Sequence, residues 1–159
     1  TTGQEPLYYN HQNTGRPVPD DNPRFAKFAS NYLDVRNGAL YPFGYGLSYT
    51  TFEYGPRQIS ADHTATVRVT NTGSRAADEI VQLYIRDKVA SISRPVKELK
   101  AFRRIHLAAG ESQDVSFQIT PDMLKFYNAD LQYVLEPGEF DIMVGPNSRD
   151  TKNGTISVK

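Results

Sequence analysis

Acid–base and nucleophilic chemistry needs carboxyl groups held close together, and the chain offers two adjacent pairs, Asp20-Asp21 and Asp78-Glu79. Splitting an acetal through a covalent intermediate takes two such groups about 5–5.5 Å apart, one of them the nucleophile. Asp20-Asp21 opens Asp20-Asp21-Asn22-Pro23, a strong turn signal. Asp78-Glu79 runs into a strand-like stretch, where neighbouring side chains point to opposite faces and the two carboxylates separate. Both pairs read as solvated surface, and no catalytic residue is assigned.

The other reactive side chains are equally unconcentrated. His11, His63 and His106 lie far apart and none belongs to a metal-ligand motif, so neither metal nor cofactor is expected. Zero cysteines remove disulfides and thiolate ligands. Asn153-Gly154-Thr155 fits a glycosylation acceptor, a three-residue match of little weight alone. Between Arg86 and Arg104 the basic residues Arg86, Lys88, Arg94, Lys97, Lys100, Arg103 and Arg104 face only Asp87 and Glu98. With 18 basic and 18 acidic residues the chain is neutral overall, which argues against a nucleic-acid partner. The lysines are read as guards of a sheet edge, and Arg94 as a docking residue, since its planar fork suits a carboxylate across an interface. No apolar run is long enough to span a bilayer, and no membrane partner is expected.

The elements that carry these residues alternate with period two from Glu53 onward. Ala65, Val67 and Val69 alternate with Thr66, Arg68 and Thr70, a half-buried strand closed by the turn residues Asn71-Thr72-Gly73-Ser74. Ile80 to Ile85 is apolar on both faces except for Gln82, as in a central strand. Val96 to Leu107 puts Leu99, Ala101, Ile105 and Leu107 on one face, but Phe102 is out of phase and Arg103 occupies an apolar position. A bulge or bend is expected there. Val115, Phe117 and Ile119 alternate cleanly, Pro121-Asp122-Met123-Leu124 reads as one helical turn, and strands follow around Tyr133, Phe140 to Val144, and Ile156 to Val158. With Gln58-Ile59 this makes about eight short strands, no long helix, and an all-β fold, an antiparallel immunoglobulin or fibronectin type III-like β-sandwich.

Residues 1–54 differ in kind and form an irregular, aromatic-rich N-terminal arm. They hold seven of the ten tyrosines and four of the eight phenylalanines. Rings of 150–250 Å² each bring roughly 2,000 Å² of mostly apolar surface, against the ~300–600 Å² patch a monomer tolerates. Leu7-Tyr8-Tyr9 is strand-like, and Arg24 to Tyr32 could form a helical turn. The stretch Tyr41-Pro42-Phe43-Gly44-Tyr45-Gly46-Leu47-Ser48-Tyr49-Thr50-Thr51-Phe52 fits no single period. It is expected to lie extended as a strap, rings to both sides, with Gly44 and Gly46 allowing special backbone angles or close approaches. Half of the arm's surface is expected on its own domain and the rest on a partner.

The strap, read YPFGYGLSYTTF, resembles the entry to the last domain of family 3 glycoside hydrolases of the β-glucosidase and β-xylosidase type. Upstream, Pro6-Leu7-Tyr8-Tyr9-Asn10-His11 through Asn13-Thr14-Gly15-Arg16-Pro17 resembles the end of that family's middle α/β domain. Downstream, Val67-Arg68-Val69-Thr70-Asn71-Thr72-Gly73, Gln82-Leu83-Tyr84 and Arg94-Pro95-Val96-Lys97-Glu98-Leu99-Lys100 resemble its fibronectin type III-like sandwich. The resemblance implies a C-terminal piece of a longer chain, which suits the absence of a start methionine at Thr1. It divides the chain into residues 1–54, the arm and interdomain strap, and residues 55–159, the sandwich. It implies a non-catalytic accessory domain that braces the catalytic barrel and α/β domains of the parent, since the family's nucleophilic Asp lies in the barrel and neither catalytic motif occurs here. Tyr8, Tyr9, His11, Arg16, Tyr41, Phe43, Tyr45, Tyr49 and Arg94 are the expected interdomain packing residues. Export to a bacterial periplasm or beyond is implied, and the exposed arm of an isolated piece could pair two copies. The alternative is a carbohydrate-binding sandwich module stacking sugars on the same rings, although it would have no Trp to do so.

Overall fold

A computed structural model describes residues 6–13, 15–16, 32 and 35–159. The expected turns around Asp20-Asp21 and the helical turn from Arg24 lie outside these residues.

Among the described residues ten strands and one helical turn follow one another: β1 (Phe52–Tyr54), β2 (Gln58–Ile59), β3 (Thr64–Asn71), β4 (Ala77–Asp87), β5 (Glu98–Leu107), β6 (Ser112–Gln118), α1 (Pro121–Leu124), β7 (Phe126–Tyr127), β8 (Tyr133–Val134), β9 (Gly138–Gly145) and β10 (Lys152–Val158). They form two four-stranded antiparallel sheets and a small β7–β8 hairpin. In the first sheet β6 runs the length of one side of β3, from Thr64↔Gln118 to Thr70↔Ser112. The other side is shared end to end by β1, opposite Val69–Asn71, and β2, opposite Ala65 and Thr66. The second sheet has the order β10-β9-β4-β5. The inward residues of the two sheets, among them Val67, Val69, Leu83, Ile85, Val115, Phe117, Phe140, Ile142 and Val144, make one continuous core. Burying such a set is what the alternating sequence pattern is for.

Three local features depart from the strand pattern and have physical causes. The β4–β5 register shifts between Leu83 and Tyr84, so that Leu83 faces Ala101 and Tyr84 faces Leu99. Lys100 is the extra residue of this bulge, the irregularity anticipated from the sequence. The bulge inverts the parity of everything before it: Leu99 joins Tyr84 on the outer face and does not share the inner face of Ala101, Ile105 and Leu107. Arg103, opposite the buried Val81, sits at the open edge of the core with its guanidinium 5.7 Å from the Phe117 ring centroid. Finally, Phe52 and Tyr54 pack against the core as part of β1. The first sheet therefore takes in the last residues of the strap, and the chain is already sandwich at Phe52. Leu7-Tyr8-Tyr9 is not in a strand; the arm instead forms an isolated bridge, Gln12 with Pro95.

Asn71 explains why the turn after β3 is built as it is. It is fully buried, its side-chain NH2 donates to the carbonyls of Arg75 (2.7 Å) and Leu107 (3.1 Å), and its Oδ1 accepts from Thr50 Oγ1 and Gly73 N. One side chain thus joins the end of the strap to a turn and to β5, satisfying groups that would otherwise be buried without partners.

Candidate docking surface

β4 is buried on both faces. Leu83 and Ile85 point into the core, while Gln82, Tyr84 and Met143 of the neighbouring β9 face outward yet are also covered. The cover is the arm. Tyr9 stacks on Phe43, ring centroids 4.2 Å apart and planes within 17°, and meets Tyr84 edge-on at 5.8 Å. The edge-on contact with Tyr84 is one of the geometries that aromatic quadrupoles favour.

The strap is not extended through this region. Pro42 O accepts from Tyr45 N at 3.0 Å, and Gly44 has φ +80°, the third position of a type II turn. A Cβ at Gly44 would overlap the Gln82 amide, so glycine is needed for both angle and space. Gly46, expected to serve similarly, faces open space. The turn directs Phe43 inward to Tyr9 and brings Tyr41 and Tyr45 together on the outside, 5.3 Å apart. Gln82 locks it: its Nε2 donates to Gly44 O (3.2 Å) and Pro146 O (2.6 Å), and its Oε1 accepts from Tyr84 Oη. Phe43 O accepts from Ser148 N at 2.9 Å, and Arg149 Nη2 donates to Ala39 O.

The nine residues expected to pack against a partner therefore divide. Tyr9 and Phe43 hold the arm to the sandwich, as does the backbone of His11, whose carbonyl accepts from Val96 N at 2.8 Å. Tyr8, Tyr9, His11, Tyr41 and Phe43 line a cleft of about 490 Å³. Tyr8 and Tyr41, each 68 % exposed, and Tyr49, 92 % exposed, present rings to solvent, and the aliphatic side chains of Leu40 and Leu47 are exposed beside them. Arg16 is exposed. Arg94, read as a docking residue, is engaged inside the domain: its guanidinium pairs with Glu98 at 2.7 Å and lies 4.6 Å from the Phe126 centroid. These contacts tie the β4–β5 loop to the β7–β8 hairpin, and the sequence could not have shown them, because Phe126 reaches Arg94 only through the fold. Gly44 meets the expectation of a special backbone angle and a close approach, whereas Gln82 had no role assigned from sequence; a lone glutamine inside an otherwise apolar strand was the available signal.

Several of the remaining charged groups are answered locally. Lys88 pairs with Glu139 at 2.7 Å, Lys100 with Glu98 at 3.4 Å and Arg104 with Asp78. Lys100, Arg103 and Arg104 lie on β5, an edge strand of the second sheet. The adjacent carboxylates of β4 diverge. Asp78 is held low in pKa by hydrogen bonds from Arg104 and His106, whereas burial pushes Glu79 up, opposed by the Tyr54 hydroxyl at 2.7 Å. Two carboxyl groups with separate partners on opposite faces are not arranged as nucleophile and acid. Among the described residues no cluster of His, Asp or Glu could hold a metal ion.

Residues 79–148 match the fibronectin type III-like domain family. Over 99 % of its length the chain is 46 % identical to a periplasmic β-glucosidase of Salmonella typhimurium, covering 21 % of that protein. It is 46 % identical to a putative β-xylosidase of Formosa agariphila over 83 % of its length, 18 % of the relative. Among solved structures, a β-glucosidase of Listeria innocua in complex with gluconolactone superposes with TM-score 0.84 at 40 % identity, over 96 % of this chain and 22 % of that one. The chain thus spans about a fifth of the length of the relatives it matches.

Proposed function

Since the chain belongs to the C-terminal, fibronectin type III-like region of family 3 β-glucosidases and β-xylosidases, we propose that it braces the catalytic barrel and α/β domains of a longer parent chain. The observation that carries this reading is the two-sided strap. Its inner side is fixed to the second sheet by Phe43, Gly44 and Gln82, and its outer side leaves Tyr41, Leu47 and Tyr49 exposed. Apolar side chains held on a rigid base suit a permanent neighbour, because the ordering cost of the strap is already met before contact. In this reading Tyr8, Tyr41, Tyr45 and Tyr49 are the residues that meet the parent's other domains, and Tyr9, Phe43 and the His11 backbone position them. The parent is a retaining β-glycosidase of β-glucosidase type, exported to the periplasm like the Salmonella relative, and its chemistry lies outside this region. Pairing of two isolated copies through the same rings would be a consequence of their exposure.

The test is Tyr49→Ala with Tyr41→Ala in the full-length protein, measuring melting temperature and binding to insoluble β-glucan together. A brace loses several degrees of stability while retaining low-temperature turnover of nitrophenyl β-glucoside. Weakened polysaccharide binding at unchanged melting temperature would instead establish a sugar-binding module. The 159-residue chain alone is expected to hydrolyse neither nitrophenyl β-glucoside nor β-xyloside. Turnover abolished by Asp78→Asn or Glu79→Gln would overturn its non-catalytic role.

A further inference from the structure

A groove of about 360 Å³ runs between the strap and the start of β4, with Tyr45, Leu47, Phe52 and Tyr54 on the strap side and Asp78, Glu79 and Ile80 on the other. Its two carboxylates differ. Asp78 is paired with Arg104 and with His106 Nδ1 at 2.7 Å. Glu79 accepts from the Tyr54 hydroxyl and has no cationic partner among the described residues. None of the groove's described lining residues is Lys, Arg or His. Burial raises the pKa of Glu79, the response of a half-buried carboxylate that lacks a counter-charge. Around it lie aromatic faces and a leucine, surfaces on which the methylene stem of a basic side chain packs while its cation approaches a ring.

We propose that this groove receives a lysine or arginine side chain presented by the remainder of the full-length chain, its cation pairing with Glu79 and its stem lying along Tyr45 and Leu47. The proposal rests on the bracing reading and gives it a chemical specificity. Charge complementarity selects the occupant, since the groove offers a carboxylate with no cation among its described lining residues, beside aromatic and aliphatic side chains. Continuity supports it, because Leu47 belongs to both the groove and the exposed outer side of the strap. The relatives are also about five times as long as this chain, so a neighbour of this kind is at hand.

Glu79→Gln is the informative change, because the amide keeps the shape and can still accept from Tyr54. Calorimetry on the full-length variant should show a melting temperature lower by about 2 °C or more, with the loss shrinking in high salt. The same substitution in the 159-residue chain should leave the melting temperature unchanged or raise it, because there no described residue gives the carboxylate a counter-charge to lose. An equal fall in both would assign Glu79 only to the Tyr54 contact, and an unchanged full-length protein would remove the basic occupant; either result overturns the proposal. Tyr41→Ala with Tyr49→Ala in the full-length protein, at rings on the exposed outer side of the strap, separates the bracing reading from the basic occupant. If it destabilises while Glu79→Gln does not, the occupant is wrong and the brace stands. If neither destabilises, the brace fails with it.

Discussion

Tyr9 lies face to face with Phe43 at 4.2 Å and edge-on to Tyr84 at 5.8 Å, so one ring joins two separate parts of the arm to the outside of the second sheet. Tyr9→Ala removes both contacts at once. It is expected to destabilise the 159-residue chain by about 1–3 kcal/mol, the sum of lost area and paired-ring geometry. Tyr8→Ala, which removes a ring 68 % exposed, should cost much less. Chemical unfolding of the two variants side by side checks this, and equal losses would mean the stack is not what holds the arm.

Gln82→Leu tests the lock beneath the strap. Leucine fills similar space but leaves the carbonyls of Gly44 and Pro146 and the Tyr84 hydroxyl without their partner. Leaving buried polar groups unsatisfied costs about 1–3 kcal/mol. Amide hydrogen exchange should quicken at Tyr45, whose N–H closes the turn, and at Ser148, which bonds Phe43 O. Slow exchange at both sites in the variant would show that the turn stands without Gln82.

The start of the sandwich can be located by shortening the chain. A chain beginning at Thr51 keeps β1, with Phe52 and Tyr54 against the core and Phe52↔Asn71 in register. One beginning at Gly55 loses that strand and should be clearly less stable, although still cooperative, because the Val67, Phe117 and Phe140 core remains. Within either chain Phe117→Ala should cost about 3–5 kcal/mol as a large-to-small core change. Identical melting temperatures for the two starting points would return β1 to the arm.

The pH dependence follows from the two adjacent acids of β4 and runs in opposite senses. Glu79 has its pKa raised by burial, so the folded state holds that proton more tightly than the unfolded one. Its contribution is complete below the ordinary glutamate range, about 4.3, and is lost as pH rises through the raised value. Asp78 is lowered by hydrogen bonds from Arg104 and His106, so its contribution is present above the ordinary aspartate range and lost as pH falls through the lowered value. Glu79→Gln should therefore flatten the decline in urea midpoint above about pH 4.3, and Asp78→Asn should flatten the decline on the acid side. A Glu79→Gln chain that keeps the full decline would refute the assignment.

The sandwich, its turns and the family were legible in the order of the residues. Alternation at Val67–Val69 and Val115–Ile119, the Pro at the start of α1, and the broken phase at Phe102 are local patterns, and local patterns survive without knowledge of the fold. The same locality set its limits. β1 and β7, at three and two residues, are too short to show a period, and they exist because Asn71 and Val134 offer them partners. Only tertiary structure could decide that the bulge at Lys100 turns Leu99 outward, since a one-residue shift exchanges the faces of everything beyond it. It alone decided that Arg94 is held by Glu98 and Phe126, and that Tyr9, Phe43 and Gln82 form one fixture while Tyr41 and Tyr49 stay exposed. Composition counts the rings an arm must hide, but which side each one faces depends on a turn at Gly44 and a glutamine on another strand. Such pairings join residues that are close only after both sheets have formed.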